Sequence, residues 1–490
     1  MTTRRGRVRA VLAGLAAVAT TAALPAGVAT TATAAEEPPL TGFELRGGES
    51  WTTFDEEQAY LDQLDAMTDR LDVEEFGSTL QGRPLHLARI GNPAPPEVAE
   101  LDGAKTVFIV CSQHGNEPAP REMCLQEIRD LALTDDPELL EFLRTTTVLV
   151  VPTANPDGRE ANTRGNANGT DVNRDHHYLE ELESQAIGRV LRDVRPAISW
   201  DAHEMGSRTL DFAMLWPRNL NVDDPLRALS GELAQSMRDV LEDEEYVVDW
   251  YTSSTEGDER IFRNVAGLRG GVGLLTESST ANPPLERVRM QELGFYSTLD
   301  FAIEHGDEVR AAIEAARASE LTKGASGAPV FWGGQDNRPP TPEEILAPAA
   351  CAYVLTDDQL AATELHRDLF RVQSYASGRG FVPMAQEARP IVPLLFDADA
   401  RYPIVEARRE YPDVRETVVV GDVDSGVPNA TLADGCTVGN RVQEEAEWAS
   451  HGAFVRHVGA VVDELRADGV LTARDGGAIV RAAAQSAVGR

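Results

Sequence analysis

Apolar residues recur near a 3.6-residue spacing across 54–71, at Tyr60, Leu61, Leu64, Met67 and Leu71, and predict an amphipathic helix there. Shorter apolar runs rich in β-branched residues follow at 83–91, 106–111, 146–152, 197–201 and 271–276, and these predict strands. Segments 119–132, 179–194, 224–242 and 285–319 carry helical periodicity between and after them. Strands that alternate with helices imply an α/β domain: a mixed, mostly parallel sheet flanked by helices on both faces.

The pattern changes near residue 322. Residues 324–340 are rich in Gly, Pro and Asn and predict a linker or covering loop. A mixed extension over 323–420 follows, expected to pack on the first domain, with a strand-like piece at 391–396. Residues 421–490 are expected to form a small helical module. Within it, Gly469 and the turn Asp475-Gly476-Gly477 are expected to divide the periodic stretch 453–486 into two short helices. Deleting 440–490 is expected to leave any chemistry of the first domain intact.

The first residues read differently. Arg4, Arg5, Arg7 and Arg9 precede an Ala-rich apolar run, and Ala32-Thr33-Ala34 matches the small-residue pattern of a cleavage site. Residues 1–35 are therefore expected to be a signal peptide, with export of the mature chain. Thr20, Thr21 and Pro25 interrupt the run before it reaches the length of a membrane span, so no stable membrane insertion is expected. Loss of those four arginines takes the net charge from −35 to −39. So acidic a chain argues against nucleic acid and anionic membranes as partners. The four cysteines permit two disulfides in an exported protein. Chain order favours Cys111–Cys124 and Cys351–Cys436, and two buried thiols are equally compatible with the first pair.

The chemistry gathers at strand ends. The run 106–111 leads into His114-Gly115-Asn116-Glu117, where His and Glu three apart across a glycine turn can face one metal ion. The run 197–201 leads into His203, and the run 271–276 into Glu277. Two histidines and a carboxylate suit zinc, and a further carboxylate suits proton transfer from a water molecule. Arg164 and Arg174 lie between these points and could bind a carboxylate or a developing oxyanion. The turn Asn155-Pro156-Asp157-Gly158 reads on its own as a turn and nothing more.

Taken together, HGNE, NPDG, TRGNANGTDVNR, a strand-end His and GLLTE resemble the zinc carboxypeptidase family, the funnelins or carboxypeptidase A-like enzymes, over about residues 50–310. The resemblance implies a catalytic domain over 36–322 and one Zn2+ ion held by His114, Glu117 and His203. It implies Asp171 as the hydrogen-bond partner of His114 and Arg164 as stabiliser of the oxyanion. Asn173 and Arg174 would hold the free C-terminal carboxylate of a peptide or protein substrate. Glu277 would act as general base and then general acid. Tyr251 is the nearest counterpart of the family tyrosine that closes over the substrate. Residues within 250–270 are expected to shape the side-chain pocket. Glu204 is expected to face away from His203, because neighbours on an extended segment point to opposite sides.

Two other readings compete. An N-acyl amino acid amidohydrolase of the aspartoacylase or succinylglutamate desuccinylase type shares HGNE and a later Asn-Arg pair. An inactive secreted binding protein on the same fold is the third.

Overall fold

The computed structural model describes residues 37–252, 257–333, 339–375 and 380–490. The expected signal peptide lies outside the described residues, as do 253–256 within the expected pocket-shaping stretch.

Helix α1 (Phe54–Asp65) starts at a capping box between Thr53 and Glu56 and buries Tyr60, Leu61 and Leu64. It does not run on to residue 71. Leu71 instead opens strand β1 (Leu71–Ser78), which forms an antiparallel hairpin with β2 (Pro84–Ile90), Leu71 facing Ile90 across the ladder. The acids of β1 sit on a half-exposed edge strand, so its apolar alternation is weak in the sequence.

From there the chain alternates as expected through β3 (Thr106–Cys111), α2 (Pro118–Ala132), β4 (Thr147–Val151), α3 (Leu182–Asp193) and β5 (Ile198–Met205). Two short strands follow that the apolar pattern missed, β6 (Phe212–Leu215) and β7 (Val248–Trp250), separated by α4 (Asp224–Asp243). The domain then closes with α5 (Phe262–Leu268), β8 (Val272–Ser279) and the long α6 (Pro284–Ala325). The strands form one eight-stranded sheet in the order β1-β2-β4-β3-β5-β8-β6-β7. Its centre, β4-β3-β5-β8, is parallel.

Because alternate strand residues point to opposite faces, β3 divides cleanly. Val107, Ile109 and Cys111 enter a core shared with α1, α2, α4 and α6. Phe108 and Val110 enter a second core with α3 and α5. Each large side chain buried there contributes roughly 1.5–3 kcal/mol over an exposed position. Helices on both faces thus clamp the central strands, and the strands' carboxyl ends emerge together at one edge.

The extension adds to the second core rather than folding apart from it. Tyr353, Val382, Ile391 and Phe396 belong to the same apolar cluster as Phe108 and Phe262. Its own sheet places β9 (Ala352–Val354) between β10 (Phe381–Pro383) and a strand at Arg408–Glu410. The expected strand at 391–396 is instead a short helix, α7 (Val392–Phe396). Its five residues are buried, and Pro393 sits in the first turn, where a missing N–H costs nothing. In a run this short, apolar content alone does not tell a buried helix from a strand. The strand at Arg408–Glu410 is β11.

A third core builds the C-terminal region. A hairpin of β12 (Thr417–Val420) and β13 (Val423–Pro428) packs on α8 (His451–Ala467) and α9 (Ala473–Gln485) through Val418, Val420, Phe454, Val458 and Ile479. The break between the helices falls at Gly469, in a left-handed conformation, and Thr472 caps α9. The expected turn at Asp475-Gly476-Gly477 is inside α9. A Cβ on Gly476 would stand 2.5 Å from Val462 Cγ1, so this glycine serves close helix–helix approach. Disulfides join Cys111 to Cys124 and Cys351 to Cys436. The first ties the end of β3 to α2, and the second ties the extension to the C-terminal region.

Candidate metal centre

Strand β3 ends at Cys111, and Ser112 turns the chain through a left-handed conformation (φ 54°). The HGNE turn then lies hard against the NPDG turn. A Cβ on Gly115 would stand 1.9 Å from the carbonyl carbon of Gly158, so only glycine fits at 115. Asn155 does more than form a turn. Its Oδ1 accepts from the Gly158 N–H at 2.8 Å, and its Nδ2 donates to the carbonyls of Gln113 (3.1 Å) and Arg164 (3.4 Å). Arg159 Nη1 donates to the Gly115 carbonyl at 2.6 Å. The NPDG turn is therefore a clip that holds the His114 loop and the Arg164 loop in register.

Three side chains converge on one point. His114 Nδ1 lies 2.9 Å from Glu117 Oε1, His203 Nδ1 lies 2.8 Å from Glu117 Oε2, and the two ring nitrogens are 3.0 Å apart. All three residues are buried. Behind the rings stand carboxylates that fix their tautomers. His114 Nε2 donates to Asp171 Oδ1 at 2.9 Å, and His203 Nε2 donates to Asp201 Oδ1 at 2.7 Å. Each ring is then left with Nδ1 facing the other ring and Glu117, where it can carry a proton or meet a metal ion. Tetrahedral zinc with Zn–N of about 2.0–2.1 Å would place such nitrogens about 3.3 Å apart. The donor set and its spacing fit that ion.

Electrostatics point the same way. Burial works against a charged His203, but Asp201 and Glu117 outweigh it and hold the ring well above its ordinary pKa. Burial would raise the Glu117 carboxyl, yet the His114 and His203 rings outweigh it and keep the group ionised. Asp171 is likewise held low: burial would raise it, but the His114 hydrogen bond and the charges of His114, Arg164 and Arg174 together outweigh that. Positive charge is favoured at this point.

A cleft of about 210 Å³ opens beside the three residues. His114, His203, Arg164, Asn173, Arg174, Tyr251 and Glu277 all line it, so the structure brings these sequence-predicted residues together. Glu277 pairs with His203 across β5 and β8 and is 8% exposed. Burial first, and then the Glu117 charge, push it up to about 8, and its Oε2 is buried with no hydrogen-bond partner among the described residues. A cation among the three ligands would draw that value down again. Arg164, half-exposed, contacts Asp171 Oδ2 at 2.9 Å and Glu117 Oε1 at 3.5 Å. Arg174 Nη1 donates to the Asn173 carbonyl at 2.7 Å. Tyr251 is anchored by its N–H to the Met214 carbonyl at 2.9 Å. A larger cavity, of about 500 Å³, lies at the opposite ends of β3 and β5, away from all of these groups.

Asn173 stands apart from its expectation in one respect. Its side chain is engaged: Nδ2 donates to Asp201 Oδ2 at 2.8 Å, and Oδ1 accepts from the Phe262 N–H at 2.9 Å. Glu204 does face away from the centre, paired with Arg287 Nε at 2.5 Å and accepting from the Ala119 N–H.

The sequence reading missed the support of His203. Asp201 sits two residues earlier on the same strand, hence on the same face, and that spacing was a usable signal. Gln113 Nε2 donates to Asp201 at 2.5 Å, and His176 donates to Gln113 Oε1 at 2.6 Å; contacts from such distant parts of the chain leave no local pattern. Ile261 and Arg263, buried in the cleft wall, fall within the 250–270 stretch expected to shape the pocket, although neither was singled out by number.

With this geometry in hand, comparison with known proteins is direct. The zinc carboxypeptidase family model matches residues 57–193, which include the HGNE turn and Asn173-Arg174. Over those residues the chain is similar to that family. The zinc carboxypeptidase match stops before His203 and Glu277, which the structure supplies from β5 and β8. Among curated relatives, the chain is 30% identical over 236 residues to carboxypeptidase 2 of Trichophyton tonsurans, covering 42% of this chain and 44% of that protein. It is 31% identical over 137 residues to carboxypeptidase E of Caenorhabditis elegans, covering 23% of this chain and 27% of that protein. The chain thus spans less than half the length of these relatives. A metallo-carboxypeptidase structure from Burkholderia cenocepacia aligns at a TM-score of 0.44 and 19% identity, covering 51% of this chain and 69% of that one.

Proposed function

We propose that this protein is an exported, zinc-dependent metallocarboxypeptidase that removes C-terminal residues from peptides and proteins. The observation that carries the reading is the convergence of His114, Glu117 and His203 beside a buried, unpartnered Glu277 in a cleft walled by arginines. His114, Glu117 and His203 would hold one zinc ion. Bound there, it supplies a Lewis acid and lowers the pKa of water.

The remaining work belongs to the side chains. Arg174 takes the substrate's terminal carboxylate by charge-assisted hydrogen bonds and so selects a free C-terminus. Asn173 keeps its side chain on Asp201 and Phe262, and so acts by placing Arg174 and His203. Glu277 accepts a proton from the attacking water and delivers it to the leaving amine. Arg164, at the mouth of the site, donates to the oxygen on which negative charge develops. Tyr251 lies at the cleft wall, where it can cover the bound residue.

N-blocked dipeptides with free C-termini, assayed beside their C-terminally amidated forms with and without a zinc chelator, test the reading. Chelator-sensitive cleavage of the free forms alone is expected. Glu277→Gln should keep its zinc and lose turnover by about 10²–10⁴-fold. Cleavage of N-acyl amino acids in place of peptides would turn the assignment to the amidohydrolase. A folded, zinc-loaded protein that cleaves neither would be the inactive binding protein.

A further inference from the structure

The extension beyond the catalytic sheet reaches the back of the cleft at several points, His366 on the Tyr178 carbonyl and Phe370 beside His177 among them, and Tyr402 is the one that bridges two of the cleft's walls. Tyr402 lies on a turn that the extension fixes from its own core. Asp397, fully buried, accepts from Tyr353 Oη and from the Arg409 guanidinium, and the Ala400 N–H donates to the Asp397 carbonyl at 3.0 Å. The Ile404 N–H, on the far side of Tyr402, donates to the Leu395 carbonyl at 2.9 Å.

From this turn Tyr402 touches two of the segments that wall the cleft. Its carbonyl lies 2.9 Å from His177 Nε2. His177 is buried and pushed down to about 4 by that burial, so the ring is neutral and its Nε2–H is the donor. The phenol meets the other wall: Arg260 Nη2 donates to Tyr402 Oη at 2.9 Å, and the guanidinium carbon stands 3.6 Å from the ring centroid. Arg260 is held from behind by Asp258, at 2.9 Å and 3.1 Å. Tyr178 closes the contact edge-on at 6.2 Å.

His177 is three residues after Arg174, and Arg260 immediately precedes Ile261 in the cleft wall. These two walls meet directly through the His176 N–H to the Arg260 carbonyl (3.3 Å) and the Phe262 N–H to Asn173 Oδ1. Tyr402 adds a second pair of bonds on the outer side of the same seam.

We propose that Tyr402 is a positioning residue for the cleft: the extension uses it to pin the Asn173–Tyr178 and Asp258–Arg263 segments together, and so sets how tightly the substrate's terminal residue is held. The inference rests on the carboxypeptidase reading for its kinetic consequence, but not for its structural one. Since Tyr402 touches neither His114, Glu117, His203 nor Glu277, its loss should loosen binding and spare the chemical step.

The test compares wild type, Tyr402→Ala and Tyr402→Phe in the full-length, zinc-loaded protein. Kinetics on a blocked dipeptide and amide hydrogen exchange over 173–178 and 258–263 are both measured. Tyr402→Ala is expected to raise KM about tenfold with kcat within about threefold, and to speed exchange in both segments at unchanged zinc stoichiometry. Tyr402→Phe keeps the ring over Arg260 and the backbone carbonyl, and is expected to restore most of the loss. If both variants keep wild-type KM and exchange, the proposal is overturned. It is also overturned if Tyr402→Ala lowers apparent kcat only in proportion to a lost folded fraction and leaves KM unchanged. Absence of peptidase activity in the wild type would remove the carboxypeptidase reading alone, because the exchange comparison still decides whether Tyr402 pins the two walls.

Discussion

Asp201 shows how much of this centre depends on a residue that binds nothing itself. It is buried, accepts from His203 Nε2, Gln113 Nε2 and Asn173 Nδ2, and so serves three partners with two oxygens. Burial alone would neutralise it; the charge and hydrogen bond of His203 outweigh that and keep it ionised. An ionised Asp201 fixes the His203 tautomer and raises the basicity of Nδ1, the atom turned to the other ligands. Asp201→Asn preserves shape and removes the charge. It should weaken zinc binding about 10–100-fold in a competition titration with a chelating dye. Unchanged affinity in a folded variant would remove Asp201 from the centre. The same substitution at Asp171, behind His114, offers an internal comparison, since that carboxylate is more open to solvent and shared with Arg164.

At the scale of elements, sequence was most informative where one physical demand dominates. Buried parallel strands need continuous apolar runs, and β3, β4 and β8 read out directly. The three candidate metal-binding residues stand out in the sequence because each sits at or just past such a run. Legibility failed where demands compete. Strand β1 is an edge hairpin with exposed acids, so its alternation merges with the helix before it. Helix α7 is short, buried and apolar, which a strand would be too. Gly476 signalled a turn and instead lets α9 approach α8.

The packing of α2 on α6 holds a feature no local pattern predicts: the buried carboxyl of Glu127 beside the half-buried carboxyl of Glu292. Burial first, then Asp130, pushes Glu292 up to about 7, with Glu44 adding to the shift and Arg289 and Arg129 opposing it. Glu127 is raised well above the ordinary range by burial and by Asp130 and Glu292, beside Tyr296 and Arg129. A carboxyl whose folded pKa exceeds its unfolded value favours the fold in its protonated form. That contribution is complete below about pH 4.5 and is lost as pH rises through about 7. Glu292→Gln should flatten the fall in Tm between pH 5 and 7.5, gaining on the order of 1–2 kcal/mol at the upper end. An unchanged pH dependence would place the effect elsewhere.

Across the whole molecule, the question is which of the three cores the chemistry needs. Among the described residues, all that line the cleft fall within His114–Glu277, and the extension reaches the segments behind it through Tyr402, His366 and Phe370. Nothing from the C-terminal core lines the cleft. That core is nevertheless not separable at residue 440. Val418 and Val420 are fully buried against Phe454 and Val458, so removal of 440–490 strips the cover from β12 and β13. The same cut removes Arg441, which stacks 3.5 Å over Tyr375, and Asn440, whose Nδ2 donates to Glu410 Oε2 at 3.0 Å. A cut at 440 should therefore yield an aggregation-prone protein for reasons unrelated to catalysis. The informative truncation ends at Glu416 and carries Cys351→Ser, because the partner of Cys351 is lost with the module. Removing the third core as a unit in this way should leave kcat/KM within about threefold of the full chain. A larger loss in a truncated protein that folds cooperatively and holds its zinc would show that the C-terminal core acts on the cleft through the extension.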